Sequence, residues 1–493
     1  MNSLWNDGAA AACGSELALR AYTSRLLGGE KALVMYGGGN TSVKLRQDGE
    51  DILYIKGSGS DLALVAEKDF SPVRLDPVKR LIEREALGND EMIAAFRAAQ
   101  KDPQAPRPSI ETVLHANLPF KWVEHTHADA VLALADTRSG EAHIRAAFGN
   151  TVLVVPYRHS GFELAKVCHE VFTRQATPDT IGMVLLHHGI FAFGATARES
   201  YERMIALVSR AEDYLKRRQA WDIPLHFPAA LEGDDGIEAI AALRRDISRA
   251  AGFPMVMNVC GDLMSLAFAR RPDLASLSQR GPATPQHAVF TKRLPLLGRD
   301  IAGYGAEYRR YLAENAPADA KRLPDPAPRV VIDPAWGFAA AGVNAFHADA
   351  TAEIFRHAMK IFCRAEALEQ YVSLSPREVL AAEIEYGGFE QAVRSRYALA
   401  GQVALVDQAL ASRERIDELL AKGAAVVGLD TVPAVRALYR RGDYLGVVCG
   451  SDGIDGALEQ AVRRFGGIDL LFSESDELAE ACRPLLALSP VSN

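Results

Sequence analysis

The sequence predicts an α/β protein of two or three domains, and three observations carry that reading. Short β-rich runs alternate with helical patterns through the first 220 residues, Gly-rich turns close two of those runs, and the last hundred residues follow β-α-β order. A chain of 493 residues also exceeds what one ordinary core accommodates.

Taken in order, residues 12–27 have helical spacing and end at Gly28-Gly29. A strand over Ala32 to Met35 runs into Tyr36-Gly37-Gly38-Gly39-Asn40-Thr41-Ser42, with a second strand at Val43 to Leu45. The next strand, Asp51 to Ile55, ends in Lys56-Gly57-Ser58-Gly59-Ser60-Asp61. Pro103 to Pro108 reads as a loop, and Ser109 with Glu111 opens a helix in which Ser109 is a natural N-cap. Val123 to Thr126, Thr151 to Val155 and Met183 to Leu186 read as strands, and 161–175 and 197–218 as helices. These elements make a first domain over 1–225. An α/β middle region over 226–395 contains the Pro-rich stretch Leu323 to Pro328, leading into a strand over Arg329 to Ile332. Residues 396–493 supply a strand ending at Val406, a helix over Arg413 to Leu420, and a strand over Ala424 to Leu429 followed by Asp430.

Apolar residues form 48% and charged residues 24% of the chain, a globular composition. The net charge, 55 − 63 = −8, argues against nucleic acid as a bulk partner while leaving room for a local phosphate pocket. The six cysteines are scattered without a CxxC pair and read as reduced thiols. The N-terminus has no basic start followed by an apolar core, and no apolar run reaches bilayer length, so a cytoplasmic protein without membrane partners is expected.

Eight of the twelve histidines fall between 115 and 188. His125-Thr126-His127 follows a β-type run, and residues i and i+2 of a strand share a face, so both rings can reach one cation. Taken alone this pair fits a half-buried sheet edge better. His187-His188-Gly189 follows another buried strand and offers a third imidazole; three imidazoles with an open fourth position suit a catalytic zinc ion. The two glycine loops bring backbone N–H groups with no Cβ in the way, which is how concave anion sites are built. The Ser109 hydroxyl serves equally as cap or phosphate donor. Glu111 reads either as a dipole-favoured surface carboxylate or as a base beside a metal-bound substrate.

Gly39-Asn40-Thr41-Ser42, Ser58-Gly59, Pro108-Ser109-Ile110-Glu111, His125-Thr126-His127 and His188-Gly189 together resemble the class II aldolase/adducin family over the first 220 residues. The resemblance implies an α/β/α fold, with Zn2+ or another divalent ion on His125, His127 and His188 and Glu111 as acid/base. It further implies a phosphate site lined by Gly39, Asn40, Ser58, Gly59 and Ser109, a phosphorylated sugar as substrate, and a homo-oligomer. Ile110 departs from the pattern, since a second serine is usual there in the fuculose-phosphate enzymes, and one phosphate donor is lost. The second acid/base has no matched residue; Tyr157 and His159 are candidates, with a sheet-edge turn as the alternative.

Further along, Arg280 to His287, Thr291 to Pro295, Pro328 to Pro334 and Glu366 to Tyr371 resemble the middle of bifunctional rhamnulose-phosphate aldolase/lactaldehyde dehydrogenases. Arg280, His287, Lys292 and Arg293 fit a phosphate contact or a structural turn equally. Leu399 to Val406, Gly423 to Asp430 and Phe465 to Leu471 resemble the short-chain dehydrogenase domain that follows in those enzymes. Here no glycine lies between Gly401 and Gly423, Asp407 stands where phosphates would lie, and the only lysine after Val406 is Lys422. A truncated Rossmann-like domain without NAD is therefore expected. The expected activity is zinc-dependent cleavage of a ketose 1-phosphate of the rhamnulose-1-phosphate type to dihydroxyacetone phosphate and an aldehyde. An epimerase or decarboxylase of the same fold, or a non-catalytic adducin-like binding protein, are the alternatives.

Overall fold

In a computed structural model, residues 1–225, 236–320, 322–449 and 453–486 are described. The start of the expected middle region, 226–235, lies outside them. The chain forms two compact units, Met1–Ile223 with Lys360–Ser373, and Pro224–Met359 with Leu374–Asn493. No helix among the described residues is long and apolar enough to cross a membrane.

The first unit is built on strands β1 (Asn40–Gln47), β2 (Glu50–Lys56), β3 (Phe70–Arg74), β4 (Trp122–Thr126), β5 (Val152–Val155), β6 (Gly182–Leu185) and β7 (Gly189–Gly194). They form one sheet in the order β3-β2-β1-β4-β7-β6-β5, antiparallel except for the β5–β6 pair. The period of two sorts their side chains onto opposite faces. Ile190, Ala192 and Val184 pack with the Asp129–Ala135 and Ala197–Arg217 helices, while Phe191, Phe193 and Met183 pack with the Thr112–Asn117 and Phe162–Gln175 helices. This is the expected α/β/α sandwich. The central strands β4 and β7 are buried at every position, and β7 is a strand not expected from the sequence.

Two local expectations are corrected. Residues 32–35 do not form a strand; Leu33 and Val34 both bond back to the Glu30 carbonyl, and Tyr36, Gly37 and Gly39 take positive φ. The chain turns there, and extended structure begins at Asn40. Nor is Ser109 an N-cap. The helix starts at Thr112 with Glu111 in the capping position, because Gly57 bridges to Pro108 and the Ser58 amide bonds to the Arg107 carbonyl, holding the preceding segment extended.

A buried ion pair fixes the centre of this sheet. Arg20, on the Glu16–Gly28 helix, meets Glu124 of β4 at 2.6 Å with both side chains fully buried. Ser200 donates to the other Glu124 oxygen at 2.8 Å, and Arg20 also reaches Thr23, Ser24 and the Ser42 carbonyl. Every strong partner is satisfied, so the pair holds the Glu16–Gly28 helix to β1 and β4.

The second unit carries two sheets. Strands β8 (Val256–Cys260), β9 (Leu296–Leu297), β10 (Val330–Asp333) and β11 (Gly337–Gly342) run in the order β8-β11-β10-β9. Strands β12 (Val403–Val406), β13 (Ala425–Asp430), β14 (Tyr444–Val448) and β15 (Leu470–Phe472) are all parallel, in the order β14-β13-β12-β15. The order third, second, first, fourth is that of one half of a doubly wound sheet. One apolar cluster containing Met255, Val331, Leu405, Val427 and Phe465 serves both sheets. Across them Arg244 bonds Asp469 at 2.5 Å.

Replacing Arg20 with Met strands the Glu124 charge in the core and is expected to cost about 3–5 kcal/mol. Denaturant unfolding followed by tryptophan fluorescence measures this, and the R20M/E124Q double variant recovers part of the loss.

Candidate metal centre

β4 pairs with β1 so that Asn40 lies opposite His125, and with β7 so that His125 lies opposite Phe191. Because Glu124 points to the Arg20 side, His125 necessarily points to the other face, and His127 follows two residues on. His188 arrives from the turn between β6 and β7. Three imidazoles meet there, with one ring nitrogen of each lying within 4.8 Å of the others. The His125 and His127 Nε2 atoms are 3.2 Å apart.

Close approach of backbones makes this possible. A Cβ on Gly39, whose φ is +57°, would stand 2.5 Å from the His125 carbonyl oxygen. A Cβ on Gly189 would stand 2.4 Å from the Thr126 carbonyl oxygen and 3.0 Å from the His127 ring. The glycines flanking the histidine motifs are thus packing requirements of β4. His187, with φ +57°, makes the turn ahead of His188 and places its Nδ1 3.1 Å from the fully buried Asp136 carboxylate. Burial pushes the Asp136 pKa up to about 6, against the pull of His187.

The protonation states suit a cation. His125 Nδ1 lies 3.1 Å from the Ile190 carbonyl, which can only accept, so Nδ1 carries the proton and Nε2 a lone pair. Burial, followed by the His127 charge, holds the His125 pKa well below the usual imidazole value. His188 is pushed by burial to about 3, Glu111 opposing the shift. Neutral imidazoles are the ligand form.

Glu111 closes the group. It is 4% exposed, with Oε2 at 3.5 Å from His125 Nε2 and Oε1 at 3.4 Å from His188 Nε2. Asn40 donates to Oε2 at 2.5 Å, while Oε1 receives no hydrogen bond. Asn40 is itself held: His115 Nε2 meets its carbonyl oxygen at 2.5 Å, and Ser42 meets His115 Nδ1 at 2.8 Å. With Ser42 donating to Nδ1, the ring's other nitrogen donates to Asn40, and the chain Ser42–His115–Asn40–Glu111 is satisfied from end to end. A buried carboxylate oxygen without a donor, beside imidazole lone pairs, is what a divalent cation would satisfy. The donor set fits the metal implied by the sequence.

Gly39, Asn40, Ser109, Glu111, His125, His127 and His188 are therefore brought together. Ser109 is buried and accepts from Asn40 Nδ2 at 3.2 Å and from the Glu111 amide at 3.3 Å, so its hydroxyl is engaged in holding Glu111. Ser58 and Gly59 lie on the neighbouring loop and are exposed. Sequence reasoning missed what joins that loop to the first one. Lys56, 2% exposed, donates to the Gly37 carbonyl at 2.9 Å and the Ser60 carbonyl at 2.7 Å, clasping both glycine loops around one ammonium. Burial lowers its pKa to about 8, with Asp61 and Glu111 raising it. At the rim Arg107 donates to Ser58 Oγ at 3.1 Å and adds an exposed cation. His115 was also missed, although its place four residues after Glu111, one helical turn on, was a usable signal. His159 lies near enough for its charge to depress His188.

Residues 18–215 match the family described as the class II aldolase and adducin N-terminal domain, and residues 235–393 match the one described as aldolase class II, second domain. The chain is 29% identical to the uncharacterized oxidoreductase YuxG of Bacillus subtilis (strain 168), over 78% of this chain and 59% of that protein. It thus spans about three fifths of that relative's length. Among solved structures, the N-terminal class II aldolase domain of a conserved Thermoplasma acidophilum protein is 36% identical, with a TM-score of 0.40, covering 44% of this chain and 99% of that one. The L-fuculose-1-phosphate aldolase of Thermus thermophilus is 18% identical, with a TM-score of 0.29, covering 43% of this chain and 97% of that one. With both of its aldolase domains matched and the histidine centre assembled in the first, the chain belongs to the class II aldolase/adducin family.

Proposed function

We propose that this protein is a divalent-metal-dependent aldolase, with zinc the expected ion, that cleaves a ketose 1-phosphate of the rhamnulose-1-phosphate type. The products would be dihydroxyacetone phosphate and an aldehyde. The observation that carries the reading is Glu111: a buried carboxylate with one oxygen anchored by Asn40 and the other unbonded, facing His188. A surface carboxylate or a binding scaffold has no need of that arrangement.

His125, His127 and His188 would hold the ion, which when bound supplies Lewis-acid polarisation of the substrate carbonyl. The chain's own residues do the rest. Breaking the bond between the third and fourth carbons leaves an electron pair on the third, and a proton must reach that carbon before dihydroxyacetone phosphate leaves. Glu111 Oε1 is the group placed to deliver it, and in the reverse direction to remove it. The Ser42–His115–Asn40 chain fixes the carboxylate so that little reorganisation accompanies proton transfer. Phe191, stacked 4.1 Å from His125, and Phe162 and Val113 in the same apolar layer keep water from that side. The glycine loops clasped by Lys56, with Ser58 and Arg107 at the rim, would take the phosphate. His159, close enough to bear on His188, is the better placed candidate for the proton of the hydroxyl on the fourth carbon.

We assign no NAD chemistry to the parallel sheet of the second unit. Beyond β12 the amides of Ala409 and Leu410 bond to the Leu429 carbonyl and the Asp430 carboxylate, and Asp407 accepts from Ser473 at 2.9 Å. Donors that would face a pyrophosphate are taken by the protein's own acceptors.

Three outcomes test the proposal. Glu111→Ala lowers kcat by about 10²–10⁴-fold with bound metal retained, read by coupled assay of dihydroxyacetone phosphate and by atomic emission; full activity in this variant rules the role out. His125→Ala drops bound zinc below one equivalent, and chelation of the native protein abolishes cleavage until zinc is restored. Aldehyde release from rhamnulose 1-phosphate proceeds without NAD and yields no NADH absorbance when NAD is added; steady NADH formation would overturn the reading of the second unit.

A further inference from the structure

The metal centre takes one histidine of the His187-His188 doublet and leaves the other without a role in binding. The backbone singles that other one out. The His188 amide bonds back to the Leu185 carbonyl at 3.2 Å, closing the turn between β6 and β7, and His187 is the third residue of that turn at φ +57°. Glycine or asparagine is the usual residue at a positive φ in this place, since a larger side chain there adds strain.

The His187 side chain reaches Asp136, with Nδ1 3.1 Å from Oδ1. Asp136 is fully buried and follows the Asp129–Ala135 helix as its C-cap, at the carbonyl end that disfavours a carboxylate. Among the described residues neither of its oxygens takes a well-aligned hydrogen bond, so the carboxyl depends on that ring. Its backbone is nonetheless firmly placed. The Val372 amide donates to the Asp136 carbonyl at 2.8 Å, the Arg138 amide donates to the Gln370 carbonyl at 3.1 Å, and Glu369 accepts from the Ser139 amide and hydroxyl at 2.8 and 2.9 Å. A buried carboxyl so poorly served lowers stability, as does a histidine at positive φ, and both costs fall beside the ligand His188.

We propose that Asp136 and His187 are positioning residues for the metal centre: the contact between them fixes the turn so that the His188 ring stays within reach of the ion shared with His125 and His127. The inference rests on the reading of those three histidines as ligands. The His125 and His127 ring centres lie 5.0 and 5.2 Å from that of His188, a spacing that a small rotation of the turn would open. The Leu186 amide, bonded to the Val155 carbonyl at 3.0 Å, ties the first half of the turn to β5, and the His187 contact fixes the second half. A turn built for stability alone would carry glycine at 187 and an apolar residue at 136. The observed pair gives up that stability for a third ligand already oriented before the ion arrives.

Zn2+ affinity, measured on the full chain by competition with a chromogenic chelator, tests this alongside denaturant unfolding of the metal-free protein. Asp136→Leu and His187→Gly are each expected to weaken Zn2+ binding about 10–100-fold while the metal-free unfolding midpoint holds or rises. Asp136→Asn, which keeps an acceptor for the ring, stays within about threefold of native affinity. The visible bands of the Co2+-loaded protein shift in the first two variants and not in the third. His187→Gly suits the positive φ, so the test stands even where Asp136→Leu fails to fold. Native affinity in either folded variant, or a metal-free midpoint of His187→Gly that falls in step with its loss of Zn2+, overturns the proposal. A native chain that binds no Zn2+, or binds it equally after His125→Ala, overturns the metal reading and the proposal with it.

Discussion

Imidazole lone pairs facing one another at the end of a buried strand are the constraint around which the first unit is arranged. His125 can offer Nε2 only because the Ile190 carbonyl takes the Nδ1 proton, and that carbonyl is in place only because β7 runs antiparallel to β4 in one register. A shift of one residue would turn His125 toward Arg20 and bring Glu124 to the centre. The buried Arg20–Glu124 pair opposes such a slip, since either charge alone on the wrong face would lie unpaired in an apolar layer. Buried polarity on both faces of one strand thus fixes its register.

The same economy governs the carboxylate. Glu111 stands at the mouth of a short helix, where a first-turn acid is ordinarily a surface residue. It is drawn inward because Asn40 donates to one of its oxygens, Ser109 accepts from its backbone amide, and the His115–Ser42 pair fixes Asn40 in turn. The unbonded oxygen faces the histidines by default. Ser109, which the sequence offers as a helix cap or a phosphate donor, is engaged in this support, while on the outer loop Arg107 donates to the exposed Ser58 hydroxyl.

In the second unit, charge is settled internally. Lys292 and Arg329, basic residues that look available on paper, are consumed by Asp325 and Glu390, as Arg244 is by Asp469. Asp407 and Asp430 likewise occupy amides and hydroxyls at the ends of the parallel strands.

Residue spacing and the family resemblance together determined a good deal here. A period of two puts His125 and His127 on one face of a strand, the resemblance picks His188 from the doublet, and β4, β6, β12 and β13 read correctly as short β-rich runs, whereas β14 is not expected from the sequence. The turn at residues 32–36 reads as a strand because Leu33 and Val34 are apolar and buried, and only the positive φ of Tyr36 and its neighbours shows that the chain is not extended. Lys56, His115 and Asp136 are hidden in the sequence for another reason: their partners lie on distant segments, and a lysine ahead of a glycine loop does not announce which carbonyls it will bind. Sequence thus determined which donors exist and which strands carry them. Tertiary structure decided which oxygen of Glu111 stays unbonded and which cations are already spent, because hydrogen-bond satisfaction is settled only when every partner in the fold has been placed.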